Sequence, residues 1–203
     1  MLHKMHRVSA MLIGAYVLIH LLNHVIALNG IASHQAFMAG FRHVYRQQAI
    51  EALLLTCLAF QVCSGLFFVA RRWGQRAGIF DVLQAASGAY LAFFMLVHVF
   101  AVLYGRAALG LDTDFFYAAA GLRIAPMQAF FMPYYFLGVS AFVAHIACAF
   151  HYLSRDRLAA PARNAIGYTI GAAGLLLAGL IVATFSGAFY SVEIPLAYQA
   201  TFR

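Results

Sequence analysis

Two histidines stand one helical turn apart in an otherwise apolar run, "GAYVLIHLLNHVIAL", at residues 14–28. These are His20 and His24, and later apolar runs contain His98 and His145. Imidazole side chains serve as metal ligands and as acid–base groups. Because a polar group inside a membrane is costly, it normally faces other helices for a functional reason. The four histidines are therefore the first candidates for chemistry, and the elements that carry them must be placed next.

The composition indicates an integral membrane protein. The chain has 203 residues, of which 65% are hydrophobic and 9% are charged, and its mean hydropathy is +0.84. A soluble domain carries roughly 25% charged residues, so this chain cannot cover a water-facing surface. In a membrane protein the formal charge of +7 reports topology and not nucleic-acid binding. We expect a lipid bilayer around the protein and no nucleic-acid partner.

Five apolar runs are long enough to cross about 30 Å of hydrocarbon as helices. They predict an all-α integral membrane protein that forms a single domain over residues 1–203. The bundle is expected to contain two related helical hairpins followed by a fifth helix. The spans are predicted near residues 8–28, 50–70, 82–104, 128–153 and 165–189.

The basic residues predict the direction of the spans. The N-terminal side holds Lys4, Arg7, Arg71, Arg72, Arg76, Arg155, Arg157 and Arg163. The opposite side holds Arg42, Arg46, Arg106, Arg123 and Arg203. The positive-inside rule therefore places the N-terminus in the cytoplasm of a bacterial-type inner membrane and the C-terminus outside. Two outer segments, residues 29–48 and 104–126, mix aromatic and charged residues, which predicts interfacial anchors or a small-molecule or partner site.

The isolated cysteines and the serine spacing lead to two further predictions. The three cysteines lie singly in apolar runs, without the spacing of an iron–sulfur or zinc site, so we expect small buried hydrophobic side chains. Ser9 precedes His20 by eleven residues, and Ser87 precedes His98 by the same number. This spacing indicates an internal repeat. The cysteines are Cys57, Cys63 and Cys148.

Helical rise places the intramembrane polar residues at two levels. His20, His24 and His98 lie roughly 18 to 24 Å from the predicted cytoplasmic edge, whereas Gln61 and His145 lie roughly 12 to 14 Å from it. We call these the outer level and the inner level. The alternative for each lone histidine is a neutral imidazole that hydrogen-bonds a neighbouring helix. Three histidine-bearing spans favour instead a haem held between two axial imidazoles, a closed site that transfers electrons.

The order of four motifs resembles the membrane-anchor cytochrome b subunits of succinate dehydrogenases and fumarate reductases. The motifs are "HRVSAML" at 6–12, "FQVCSGLFFVARR" at 60–72, "LQAASGAYLAFFMLVH" at 83–98 and "GVSAFVAH" at 138–145. The five-span form is similar to the single-subunit, two-haem members of that family. The resemblance implies haem b and a quinone as cofactors. It also implies separate flavoprotein and iron–sulfur subunits as partners.

The resemblance implies roles for particular histidines. His20 and His98 would ligate an outer haem, with His24 as the alternative first-span ligand because residues four apart share a helix face. His145 matches a second haem ligand, but the histidine that faces it in the family is Gln61 here. One haem is therefore expected and a second is left open. Without a partner histidine, His145 would hold a five-coordinate haem, bind a quinone or fill the core.

The first motif implies a quinone pocket. His6, Arg7 and Ser9 match positions that line this pocket in some family members, where arginine stabilises a quinol oxyanion and serine donates a hydrogen bond. The alternative is a topology-setting arginine beside a helix-capping serine. The remaining histidines are expected to be solvated near the interfaces. They are His3, His34, His43 and His151.

These predictions favour a b-type cytochrome that passes electrons between a quinone and a partner, as a subunit of a quinone-linked oxidoreductase. Two alternatives belong to other classes of protein. One is a haem-free membrane anchor or assembly protein, and the other is a small transporter that uses the intramembrane histidines. A haem absorbance spectrum separates the first function from the other two.

Overall fold

The computed structural model describes residues 1–202, which form a bundle of helices and contain no strand. Short 3₁₀ turns follow the first and third helices, at Ala27–Asn29 and Trp73–Gln75. Arg203, which was counted among the outer basic residues, lies outside the described residues. The helices are α1 (Leu2–Ile26), α2 (Ile31–Tyr45), α3 (Gln48–Arg71), α4 (Ile79–Ala107), α5 (Phe115–Arg123), α6 (Gln128–Leu153), α7 (Ala160–Phe185) and α8 (Leu196–Thr201).

Five of these helices, α1, α3, α4, α6 and α7, are long and apolar enough to cross a membrane. The number and order of the predicted spans are therefore confirmed. Only α6 has the predicted bounds, and both ends of α3 and α4 lie within three residues of the prediction. The larger differences are at α1, which begins at Leu2, and at α7, which covers Ala160–Phe185 instead of 165–189. Pro161 starts α7 early because proline fits the first helical turn. Gly187 ends it, since its φ of 83° suits glycine and breaks the helix.

Three short helices lie at one end of the bundle. The connection from α1 to α3 contains α2, the connection from α4 to α6 contains α5, and α8 follows α7. All three are therefore at the end opposite the N-terminus. We call this the capped end and the other the N-terminal end. The segments predicted as interfacial anchors thus form helices that pack against the spans.

Two acidic residues in the loop before α5 join the cap. Arg42 of α2 donates a hydrogen bond to Asp112 Oδ2 at 2.9 Å. Gln35 donates to Asp114 Oδ2 at 3.1 Å, and Asp114 also accepts from the first backbone N–H groups of α5. Tyr198 of α8 donates to the carbonyl oxygen of Asp112 at 3.0 Å. The cap is therefore one connected layer.

The helices α4, α6 and α7 approach each other at glycines. A Cβ added at Gly138, Gly167 or Gly174 would lie within 2.9 Å of a neighbouring side chain. Small residues allow such close packing in a membrane, where the hydrophobic effect between helices is weak. In contrast, α3 has Ser64 as its only buried residue among those described. Its Cys63 is exposed and its Cys57 is partly exposed. The prediction of buried cysteines is therefore wrong at Cys63 and is confirmed in full only at Cys148.

Candidate functional site

A largely apolar cavity lies between the spans, toward the capped end, and its volume is about 180 Å³. All three predicted outer-level histidines line it. The prediction that they share one space is therefore consistent with the structure. The polar residues of its lining are Tyr16, His20, His24, Tyr45, Glu51, His98, Arg106 and Tyr135.

His20 of α1 and His98 of α4 approach each other in this cavity. Their ring centroids lie 6.1 Å apart, with an angle of 65° between the planes. Two imidazoles bound to opposite sides of one metal, with metal–nitrogen distances of about 2.0 Å, have centroids roughly 6 Å apart. Within residues 1–202 His98 makes no hydrogen bond, so both ring nitrogens are available. The spacing and the chemistry of this pair fit axial ligation of a haem iron.

His24 points toward the cap instead of toward His98. Its ring stacks on His34 with centroids 5.6 Å apart and meets Phe185 edge-on at 4.9 Å. Of the two first-span histidines, only His20 makes a ring contact with His98 in the described chain. The Nε2 atoms of His20 and His24 lie 3.1 Å apart. A His20 that binds iron through Nε2 must therefore give up its hydrogen bond to His24.

A stack of rings holds His98 in place. Phe94 lies one turn earlier on α4, and its ring is nearly parallel to the imidazole, at 5.3 Å between centroids and 11° between planes. Phe94 in turn lies on Gly138 of α6, where an added Cβ would be 2.3 Å from the phenyl ring. Tyr134 packs on Phe94 with centroids 4.6 Å apart. These contacts fix the orientation of the His98 imidazole.

His34 is buried, so the prediction that it is solvated is wrong. Its side chain is 2% exposed, and its Nε2 accepts a hydrogen bond from the Asn23 amide at 3.1 Å. Burial and the nearby positive charge of Arg42 lower the pKa of His34 to about 4. Helix α2 folds back over the bundle and buries His34 with Met38, four residues later. That helical spacing on one face was the signal available in the sequence.

The buried groups beneath the cap are incompletely paired. In the described chain, the Asn23 Oδ1, His24 Nδ1 and His34 Nδ1 atoms have no hydrogen-bond partner. Buried polar atoms of this kind are normally satisfied by ordered water. Of these three residues, His24 also lines the cavity, so the unpaired atoms lie next to it.

The inner-level glutamine contacts α1. The Gln61 amide donates to Ser9 Oγ at 2.6 Å and to the His6 carbonyl oxygen at 2.5 Å. His6 Nδ1 shares a hydrogen bond with Ser64 Oγ at 2.7 Å. Thus two of the three residues predicted to bind a quinone, His6 and Ser9, lie in the contact between α1 and α3. The third, Arg7, is exposed and is not part of this contact.

The inner-level histidine contacts α4. His145 Nδ1 lies 3.1 Å from Ser87 Oγ, and its ring is 3.2 Å from the position of a Cβ added at Gly88. Gln61 and His145 therefore face different helices and line no part of the cavity. The contacts Ser9–Gln61 and Ser87–His145 occupy corresponding positions of the two hairpins. They match the repeat that the serine spacing indicated.

The histidines form no metal centre of protein ligands alone. Among residues 1–202, no group of three or more histidine, cysteine, aspartate or glutamate side chains is arranged to hold a metal ion. A haem needs only one or two axial ligands from the protein. No family model matches this sequence, and neither a curated protein nor a solved structure matches it. The resemblance to the anchor subunits therefore depends on the four quoted motifs.

Proposed function

We propose that this protein is a membrane b-type cytochrome that binds one haem between His20 and His98 and passes electrons between a quinone and a partner protein. The observation that carries the proposal is the pair of imidazoles, 6.1 Å apart, in an apolar cavity. A bound haem supplies reversible one-electron chemistry at its iron. The resemblance to the anchor subunits of succinate dehydrogenase supports the same function.

The residues of this chain would bind and orient the haem. His98 is already fixed by Phe94, and the leucine, valine and phenylalanine side chains of the cavity exclude water. A cavity of about 150 Å³ holds one benzene ring, so a porphyrin would fill the 180 Å³ of this partly open cavity and extend beyond it. The ring would also extend past Leu103, a residue of α4 that lines the cavity and is 37% exposed.

The charge distribution supports an orientation in the membrane. All eight basic residues predicted on the cytoplasmic side lie at the N-terminal end or in its connections. We therefore assign this end to the cytoplasm of a bacterial-type membrane and the capped end to the outside. The haem then lies near the outer face. Its partner is either an acceptor at that face or the flavoprotein and iron–sulfur subunits implied by the resemblance.

A second candidate is a haem-free protein that binds a quinone in the same cavity. The cavity volume favours this function, because 180 Å³ suits a single ring such as a quinone headgroup. The ring N–H of His98 would donate a hydrogen bond to a quinone oxygen. In this case the histidines would bind or move protons and would not ligate iron.

The spectrum of the protein purified in detergent separates the two functions. We expect a reduced α-band at the b-type position and one haem per chain. His98→Ala should abolish the low-spin spectrum because it removes an axial ligand. The matched control is His145→Ala, which removes an intramembrane histidine outside the cavity and should leave the band unchanged. A wild-type protein that contains no haem and takes up none when it is added would contradict the cytochrome.

A further inference from the structure

One ion pair stands at the rim of the cavity. Arg106 Nη1 of α4 donates to Glu51 Oε1 of α3 at 2.5 Å, and the two side chains are 29% and 25% exposed. Among the described residues that line the cavity, these two alone carry a full charge at neutral pH when the histidines are neutral. Arg106 follows His98 by eight residues, so it lies about 12 Å nearer the capped end along α4.

The guanidinium of Arg106 has N–H donors that Glu51 does not use. It carries five N–H donors, and Glu51 accepts one at 2.5 Å and a weak second one at 3.5 Å. Arginine binds carboxylates in a planar, often bidentate arrangement. A half-buried guanidinium is also screened less by water than one at an open surface. A second carboxylate that enters the cavity therefore meets a preformed partner.

The opposite end of the cavity, toward the N-terminal end of the bundle, is apolar. Ile13 and Leu91 each stand seven residues before a cavity histidine, and Phe142 lies beside them on α6. Seven residues correspond to about 10 Å of helix toward the N-terminal end. The cavity thus offers a charged rim on one side of the histidine pair and hydrocarbon on the other. An occupant with one acidic edge and one apolar edge matches both.

We propose that Arg106 binds a propionate carboxylate of the haem and thereby orients the ring with its propionate edge toward the capped end. This inference rests on the proposed cytochrome function, because a quinone ring carries no carboxylate. It assigns Arg106 to cofactor binding, whereas the resemblance assigned only histidines. Glu51 holds the guanidinium at the rim until the carboxylate arrives.

The test compares haemin with its dimethyl ester, in which both propionates are uncharged. Haem-free full-length protein is titrated with each compound, and the affinities are measured from the change in absorbance. The wild-type protein should bind haemin about tenfold more tightly than the ester, which corresponds to one charge-assisted contact. In Arg106→Gln this ratio should fall to within about twofold. Arg123→Gln, which removes a charge at the capped end but outside the cavity lining, should keep the wild-type ratio.

Each result decides the question. Equal affinity of the wild-type protein for both compounds overturns the role of Arg106 and leaves the cytochrome intact. An undiminished ratio in Arg106→Gln does the same. Failure of the wild-type protein to bind either compound overturns the cytochrome itself. Because each ratio is taken within one protein, a general loss of stability in Arg106→Gln lowers both affinities and does not imitate the expected result.

Discussion

The two polar levels of the bundle contain similar residues but differ in their partners. At the N-terminal end Gln61 binds Ser9 and His145 binds Ser87. Toward the capped end His98 has no such partner in the described chain, and its contact with His20 is a ring contact at 6.1 Å between centroids without a hydrogen bond. An unpaired polar group in an apolar medium is costly, so a ligand gains most at the second level. Similar side chains thus join helices in one half and remain available for binding in the other.

The sharpest test of this difference separates the two first-span histidines. His20→Ala should reduce haem content to near zero, because His20 is the residue that faces His98. His24→Ala should retain the haem and at most shift its midpoint potential, since His24 stacks on His34 beneath the cap. Haem content and redox titration of both variants check this. The reverse pattern would make His24 the ligand.

The buried imidazole under the cap should make stability depend on pH. The pKa of His34 falls from 6.5 unfolded to about 4 folded, so the unfolded chain binds more protons between these values. His34 therefore contributes fully to stability above pH 6.5, and this contribution is lost as the pH falls toward 4. The loss should be roughly 3 kcal/mol. Thermal unfolding at about pH 7.5 and about pH 4 measures it.

Two variants on α2 isolate this effect. His34→Gln should weaken the pH dependence, because the buried titrating group is gone. His43→Gln is the matched control, since His43 is exposed on the same helix. Equal pH dependence in all three proteins would show that His34 does not carry the effect.

The support that α6 gives to His98 through Phe94 should be measurable as a loss of stability. We expect this loss to be smaller than the pH-dependent loss at His34. In Gly138→Ala the new methyl group meets the Phe94 ring, which must move and disturb His98. Overpacking of this kind costs about 1–3 kcal/mol. Gly171→Ala is the control, because an added Cβ there has nothing within 4 Å. We expect a lower melting temperature and weaker haem binding only for Gly138→Ala.

The smallest expected effect concerns the inner level. Gln61→His restores the residue of the resembled family, but position 61 contacts Ser9 and His6 on α1 and does not face His145. Haem content should therefore stay at one per chain. Quantitative haem analysis of this variant checks the prediction. A second low-spin haem in this variant would show that the inner level can also bind haem, which would contradict the proposed difference between the two levels.

The sequence was sufficient for features that depend on composition and on position along a helix. The five spans, their order and the common level of His20 and His98 follow from apolar length and helical rise. The helical rise does not predict how each helix is rotated about its own axis, and therefore not which neighbour a side chain faces. Gln61 and His145 share a level but face different helices. His34 was misassigned for a related reason: whether a short helix lies in water or folds over the bundle depends on contacts such as Arg42–Asp112, which join residues far apart in sequence.

The thin packing of α3 bears on how an occupant reaches the cavity. The cap covers the side toward water with fully buried side chains such as Phe115. Leu103, in contrast, lines the cavity and is 37% exposed on α4, a helix that is apolar enough to cross a membrane. We therefore expect an apolar molecule to reach the cavity past Leu103 by diffusion within the plane of the bilayer, so that its lipid solubility sets its effective concentration. Acyl-chain length and order should consequently change the rate of loading while the amino-acid sequence stays the same.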